Sequence, residues 1–308
     1  MSFAFENIIT PNQNVTLVLP KGISLTIKRE DLLHPFVSGN KFRKLKYNLI
    51  EAQNQNHKTV LTFGGAYSNH IAAVAYAAQA LGFQSIGVIR GDELVSKIEE
   101  NPTLSFAKKS GMQFEFVSRE TYRERNSSSY LNELESKHPP FYLIPEGGTN
   151  ELAVQGCEEI ITPADTEFNY ICCAVGTGGT IAGLINSSLP HQKVLGFPAL
   201  KADYLQDEIC IFAKKQGWKL LNNYHFGGYG KVTTELIQFI NDFLQQTNIP
   251  LDPIYTGKMI YGILDLIEND YFPEDSKILA IHTGGLQGIE GMNQKLTNKN
   301  LLTLTTHG

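Results

Sequence analysis

Seven short runs of apolar, β-favouring residues recur between positions 59 and 283: TVLTFGG, SIGVIRG, QFEFVS, FYLIPEGG, YICCAVG, KVLGFPA and KILAIHT. They are largely continuous in apolar character rather than alternating, which is the pattern of strands buried on both faces. Between and after them, IAAVAYAAQALG, ELIQFINDFLQQ and MIYGILDLIEND carry helical spacing. A chain patterned in this way is expected to be α/β, with parallel twisted sheets covered by helices. Nearer the N-terminus, VTLVL and ISLTIK predict a further pair of strands turned at Pro20, Lys21 and Gly22.

At 308 residues the chain is long enough for two lobes, and an apolar share of 42% supplies their cores. No repeat or linker marks a hinge between lobes. A net charge of -5 lacks the excess of Lys and Arg that neutralises phosphates, so no nucleic-acid partner is expected. No membrane partner is expected either, because no apolar stretch is long enough to span a bilayer. The opening MSFAFENIIT has no basic start followed by an apolar stretch, which points to the cytoplasm. Cys172 and Cys173 stand side by side in an apolar run and read as small core residues, and no metal site is expected.

In open α/β sheets ligands gather at the carboxyl ends of strands, and there the chain places GGAYSNH, EGGTN, GTGGT and TGG. Three segments could carry chemistry. In SGNKFRKLKYNL, Gly39 and Asn40 permit a tight turn that leaves Lys41 at a helix start, its amine free to enter a cleft. The same residues also read as a solvated basic face of Lys41, Arg43, Lys44 and Lys46. In GTGGT the glycines let backbone N–H groups approach an anion at a helix N-terminus. That loop lacks the lysine of a P-loop and the spacing of a dinucleotide site, so a monophosphate suits it better, unless it is a plain turn. In GGAYSNH, Ser68 is of the usual N-cap type. The helix start it caps could also hold a carboxylate, with Ser68 and Asn69 adding donors.

Taken in order, SGNKFRKLKYNL, GGAYSNH, GTGGT and LDPIYTGK resemble the D-cysteine desulfhydrase and 1-aminocyclopropane-1-carboxylate (ACC) deaminase family of pyridoxal 5′-phosphate (PLP) enzymes. The likeness runs from KRED at residues 28 to 31 through HTGG at 282 to 285. It implies a tryptophan synthase β-like architecture (fold type II). Residues 1–44 and 151–308 would form a larger PLP-binding domain and residues 45–150 a smaller inserted one. Family members commonly form homodimers, and the resemblance carries that expectation over.

The resemblance also implies roles. Lys41 is the Schiff-base lysine, Asn69 bonds the pyridoxal 3′-oxygen, and Gly176, Thr177, Gly178, Gly179 and Thr180 hold the phosphate, helped by Lys44. Ser68 binds the substrate carboxylate, and Tyr229 and Tyr255 face the substrate. His70 stands where well-known ACC deaminases have Gln. Thr256 replaces their Glu beside the pyridine nitrogen, and Thr283 replaces a Leu; both are the desulfhydrase-like choice. A hydroxyl supplies no charge to hold a pyridinium, so the ring becomes a weaker electron sink. That still suits β-elimination from D-cysteine, with Lys41 removing the Cα proton, to give pyruvate, ammonia and sulfide. The alternatives are ACC deamination to 2-oxobutyrate and ammonia, a D-amino acid dehydratase or racemase, and a PLP-binding protein without lyase activity.

Overall fold

Successive residues of YICCAV point to opposite faces of one sheet, and both faces are buried. Tyr170, Cys172 and Ala174 pack into one core cluster, while Ile171, Cys173 and Val175 pack into another. The computed structural model, which describes residues 5, 9–201 and 203–305, repeats this on KILAI, where Ile278 and Ala280 pack into the first cluster and Leu279 and Ile281 into the second. Burying an aliphatic side chain is worth about 1.5–3 kcal/mol, so a strand with two apolar faces is held from both sides.

The strands are β1 (Asn12–Asn14), β2 (Ser24–Lys28), β3 (Thr59–Gly65), β4 (Gln84–Arg90), β5 (Met112–Val117), β6 (Phe141–Ile144), β7 (Tyr170–Val175), β8 (Lys193–Pro198), β9 (Trp218–Leu220) and β10 (Lys277–Ile281). They form a six-stranded sheet in the order β1-β2-β10-β7-β8-β9 and a four-stranded sheet in the order β5-β4-β3-β6. Among the described residues only the β1–β2 pairing is antiparallel. Residues 59–144 supply the whole of the smaller sheet, while the larger one draws on residues before and after them. One helix, Asn40–Asn54, runs across position 44 without a break. Among the described residues no helix is long and apolar enough to cross a membrane.

The expected strand over VTLVL is not present. Residues 15–19 are irregular, and β1 lies just upstream at Asn12–Asn14. Val15 is buried and its N–H bonds the Leu25 carbonyl, whereas Val18 is fully exposed. The alternation of that run therefore fits half-packed coil as well as it fits a strand.

The basic residues of SGNKFRKLKYNL do not form a solvated face, since Arg43, Lys44 and Lys46 are all buried. Glu30 takes two hydrogen bonds from the Arg43 guanidinium, at 2.8 and 2.9 Å, and one from Thr10 at 2.6 Å. Lys46 pairs with Glu159 at 2.8 Å. These bonds tie the helix Asn40–Asn54 to the N-terminal segment before it and to Glu159 in the middle of the chain, and so fix where its first turn lies.

Candidate functional site

That first turn begins at Gly39, whose φ of +59° and ψ of -137° lie where residues with a Cβ are strained. A Cβ there would stand 2.1 Å from the Thr283 carbonyl oxygen. The Asn40 N–H donates to the same carbonyl at 3.3 Å. The end of β10 is thus pressed against the turn, and Thr283 enters the site through its backbone.

Lys41 follows, half-buried, with its Nζ donating to Asn40 Oδ1 at 3.1 Å. Burial, and then the positive charge of Lys44, hold the Lys41 ammonium down to about 7, with Asp252 acting in the opposite direction. A neutral amine is therefore accessible near neutral pH. The Asn40 amide also donates to Thr180 Oγ1 at 2.9 Å, tying the lysine turn to the glycine loop after β7.

In that loop Gly178 sits at φ +83° and caps the helix Gly179–Ser187 with no side chain of its own. The leading N–H groups of this helix have no intrahelical acceptor. A Cβ on Gly179 would come within 3.2 Å of Lys44 Nζ, and one on Gly176 within 3.2 Å of the Tyr255 ring. Lys44, 2% exposed, donates to the Gly147 carbonyl at 3.0 Å, Thr149 Oγ1 at 2.9 Å and Thr177 Oγ1 at 3.3 Å. All three acceptors are neutral, and burial lowers the pKa of this ammonium. An open helix N-terminus, a bare glycine turn, three threonine hydroxyls and a cation lacking a carboxylate make a donor set that fits the phosphate of PLP, with the Lys41 amine close by.

Ser68 caps the helix Asn69–Ala80, but its Oγ accepts from Ile71 N only at 3.4 Å, which leaves it capacity for a ligand. Asn69 turns towards the last glycine run, its Nδ2 standing 3.1 Å from the Cβ position of Gly285. Beside it, His70 is buried, and the Thr62 hydroxyl spends its one proton on the Ile144 carbonyl at 2.8 Å. Thr62 therefore accepts from His70 Nε2, also at 2.8 Å, and the imidazole is assigned as the Nε2–H tautomer. Nδ1 makes no hydrogen bond of normal geometry. Burial, followed by Lys41 and Lys44, pushes the imidazole pKa well below its usual value despite an opposing effect from the Pro145 backbone, so His70 is neutral.

Two tyrosines stand at the open end. Tyr255 packs over Gly176, and its ring meets that of Tyr229 edge-on at 6.2 Å. Burial raises the pKa of both hydroxyls, that of Tyr255 the more strongly, so both stay protonated. Tyr229 has 52% of its surface exposed, and its hydroxyl neighbours that of Tyr255.

Thr256 is fully buried at the head of the helix Thr256–Glu268, and its hydroxyl donates to Asp252 Oδ1 at 2.7 Å. The Thr256 N–H adds a bond to the same oxygen, while the N–H groups of Ile254 and Tyr255 bond Oδ2. Asp252 lies 3.2 Å from the Cβ position of Gly285, on the same glycine as Asn69.

The four glycine runs thus meet at one place, at the carboxyl ends of strands from both sheets. Sequence reasoning gave Asn40 only a part in the turn before Lys41, and did not single out Thr149 or Asp252. Asn40 and Thr149 sit inside SGNK and EGGTN, and Asp252 followed by Pro253 before a helical pattern is an N-cap signature.

A family model described as "Pyridoxal-phosphate dependent enzyme" matches residues 13–284. The mitochondrial bifunctional D-cysteine desulfhydrase/1-aminocyclopropane-1-carboxylate deaminase of Arabidopsis thaliana is 34% identical, across 94% of this chain and 79% of its own. The D-cysteine desulfhydrase of Klebsiella pneumoniae is 27% identical, across 86% of this chain and 87% of its own. A crystal structure of an ACC deaminase homologue superposes with a TM-score of 0.81 at 30% identity, covering 94% of this chain and 93% of that one. The two-sheet architecture is accordingly that of fold type II PLP enzymes. Matched over most of its length, the chain belongs to the family of pyridoxal-phosphate dependent enzymes.

Proposed function

We propose that this enzyme is a lyase that eliminates sulfide from D-cysteine, leaving pyruvate and ammonia. The observation that carries the choice of substrate is the state of Asp252 and Thr256. Both carboxylate oxygens of Asp252 are engaged by the four donors at the helix start, one of them the Thr256 hydroxyl. Neither residue offers a free carboxylate to keep a proton on a ring nitrogen. PLP, when bound, supplies the electron sink for bonds at the Cα of an amino acid.

The remaining work falls to the chain. Gly176 to Thr180 and Lys44 would hold the phosphate, Asn69 the 3′-oxygen, and Lys41 the aldehyde carbon. Ser68 and the helix start behind it would take the substrate carboxylate, orienting the Cα–H towards Lys41. With a pKa of about 7, Lys41 is neutral often enough to accept that proton and acidic enough to return it. As thiolate leaves Cβ, a protonated Tyr255 or Tyr229 hydroxyl can hydrogen-bond or protonate it. Water completes the conversion of the released enamine to pyruvate and ammonia.

Two assays on one preparation test this reading: pyruvate and sulfide from D-cysteine, and 2-oxobutyrate from ACC. Faster release from D-cysteine is expected, and preferential ACC turnover would overturn the assignment. Racemisation of an amino acid without keto acid release, or PLP binding with no turnover across a panel of D- and L-amino acids, would overturn the lyase reading itself.

A further inference from the structure

The helix that begins at Thr256 carries Lys258 within its first turn, with 1% of its surface exposed. Its Nζ donates to the His225 carbonyl at 2.9 Å, the Gly228 carbonyl at 3.0 Å and the Ala199 carbonyl at 3.4 Å. An ammonium has three protons, and here they meet three backbone acceptors from two other segments. Burying a cation without a carboxylate is costly, so such a residue is held by what it binds.

What it binds is irregular. In the segment 225–230, Phe226, Gly227, Gly228 and Gly230 all have positive φ, at 51°, 90°, 124° and 68°. The segment's own hydrogen bonds are local turns: Gly228 N bonds the His225 carbonyl and Gly227 N bonds His225 Nδ1, both at 3.0 Å, and Lys231 N shares the Gly228 carbonyl at 3.1 Å. Backbone in sparsely populated regions persists only where its surroundings over-determine it. The Gly228 carbonyl held by Lys258 belongs to the peptide unit that leads into Tyr229.

We propose that Lys258 is a positioning residue, whose ammonium clamps the 225–230 loop so that Tyr229 stands against Tyr255 at the reacting end of the cleft. The proposal rests on the reading of Tyr229 as a substrate-facing residue. It places the two tyrosines under the control of one helical turn, since Tyr255 lies at the head of the helix that carries Lys258.

The clamp is sensitive to protonation. Burial lowers the Lys258 pKa to about 8, with Asp252, on the segment entering its own helix, opposing the shift. His225 and Tyr229 are the titratable side chains of the segment 225–230, which turns its His225 and Gly228 carbonyls to the ammonium, and the residue after β8 adds the Ala199 carbonyl. Above about pH 8 the clamp loses its charge and one of its three donors.

The test compares wild-type holoenzyme with Lys258→Met, Lys258→Arg and Tyr229→Phe, and with Lys258→Met in the Tyr229→Phe background. Hydrogen exchange of amides 226–231 and D-cysteine kinetics are both measured. Lys258→Met should speed exchange of those amides and lower kcat about tenfold, the size of one hydrogen bond to a charged group, with little change in KM. Lys258→Arg should restore most of the loss, and Lys258→Met should add little once Tyr229→Phe is present. Equal losses in both backgrounds, or unchanged loop exchange, would overturn the proposal. If Tyr229→Phe leaves kcat intact while Lys258→Met still loosens the loop, the clamp stands and the role given to Tyr229 fails. Should Lys258→Met yield no folded enzyme, wild-type exchange decides: protection of 226–231, corrected for intrinsic rates, should fall between pH 7 and 9. Protection that does not change over that interval would sink the idea.

Discussion

Lys44 Nζ lies 2.9 Å from Thr149 Oγ1, which brings a lysine from the helix Asn40–Asn54 onto the turn that follows β6. Thr149 in turn stands 2.6 Å from Thr177 Oγ1, so one contact chain links the two sheets across the anion cradle. The ammonium is buried among neutral acceptors, and a phosphate would supply the missing opposite charge.

Lys44→Met should therefore weaken PLP more than it weakens the fold. Charge-assisted hydrogen bonds contribute about 1.5–3 kcal/mol, or roughly 10–100-fold in dissociation constant. Thr149→Val removes one neutral partner and should cost only about 1 kcal/mol. Titration of the cofactor-free protein with PLP reads both. Equal affinity in Lys44→Met and wild type would take Lys44 out of the phosphate site.

The acid limb of turnover should report Lys41. Its pKa is lowered to about 7, and only the neutral amine, freed once substrate has taken its place on the cofactor, can accept a proton, so kcat should rise with pH through about 7 and then level off. Lys41→Ala should abolish turnover and the absorbance of lysine-bound cofactor, while PLP is still retained by its phosphate contacts. Turnover at the wild-type rate in that variant would remove Lys41 from the mechanism.

Asp252→Ala should shift that limb. Asp252 favours the charged form of Lys41, so its removal lets the Lys41 pKa fall further, and the rise in kcat moves to lower pH. The same change strips the cap from the helix Thr256–Glu268 and should lower stability by about 2 kcal/mol, seen as a reduced Tm. A limb that stays in place while Tm falls would confine Asp252 to its structural role.

Central strands were legible in the sequence because burial on both faces writes a continuous apolar run, as in YICCAV and KILAI. The glycine runs were legible because a close approach of backbone leaves few other residues possible. What the sequence hid was pairing over distance. Arg43 and Lys46 looked like a wet basic face, since their partners Glu30 and Glu159 lie 13 and 113 residues away. VTLVL has strand composition, but its only backbone tie to β2 is the bond from Val15 to Leu25. Thr256 was read as a ring-nitrogen neighbour, and its bond to Asp252 could not be seen without knowing that Asp252 caps the same helix. In each case the residue type was plain and its partner was not.

Gly39→Ala tests how tightly the lysine turn is held. At φ +59° and ψ -137°, backbone that glycine alone adopts readily, a Cβ is strained by about 1–3 kcal/mol for conformation alone. Here it would also stand 2.1 Å from the Thr283 oxygen and 2.6 Å from the Gly284 nitrogen. Both are backbone atoms at the end of β10, so no side chain can swing aside. The helix Asn40–Asn54 or the strand must move, and Lys41 and Asn40 move with it. The total should exceed about 3 kcal/mol, with loss of cofactor retention. Gly82→Ala is the control, since Gly82 has φ +77° and nothing within 4 Å of its Cβ position, so only the conformational cost applies. Thermal unfolding and PLP content measured on the two variants separate close apposition from backbone strain. If Gly39→Ala loses no more than Gly82→Ala, the contact between β10 and the lysine turn does not set the position of Lys41.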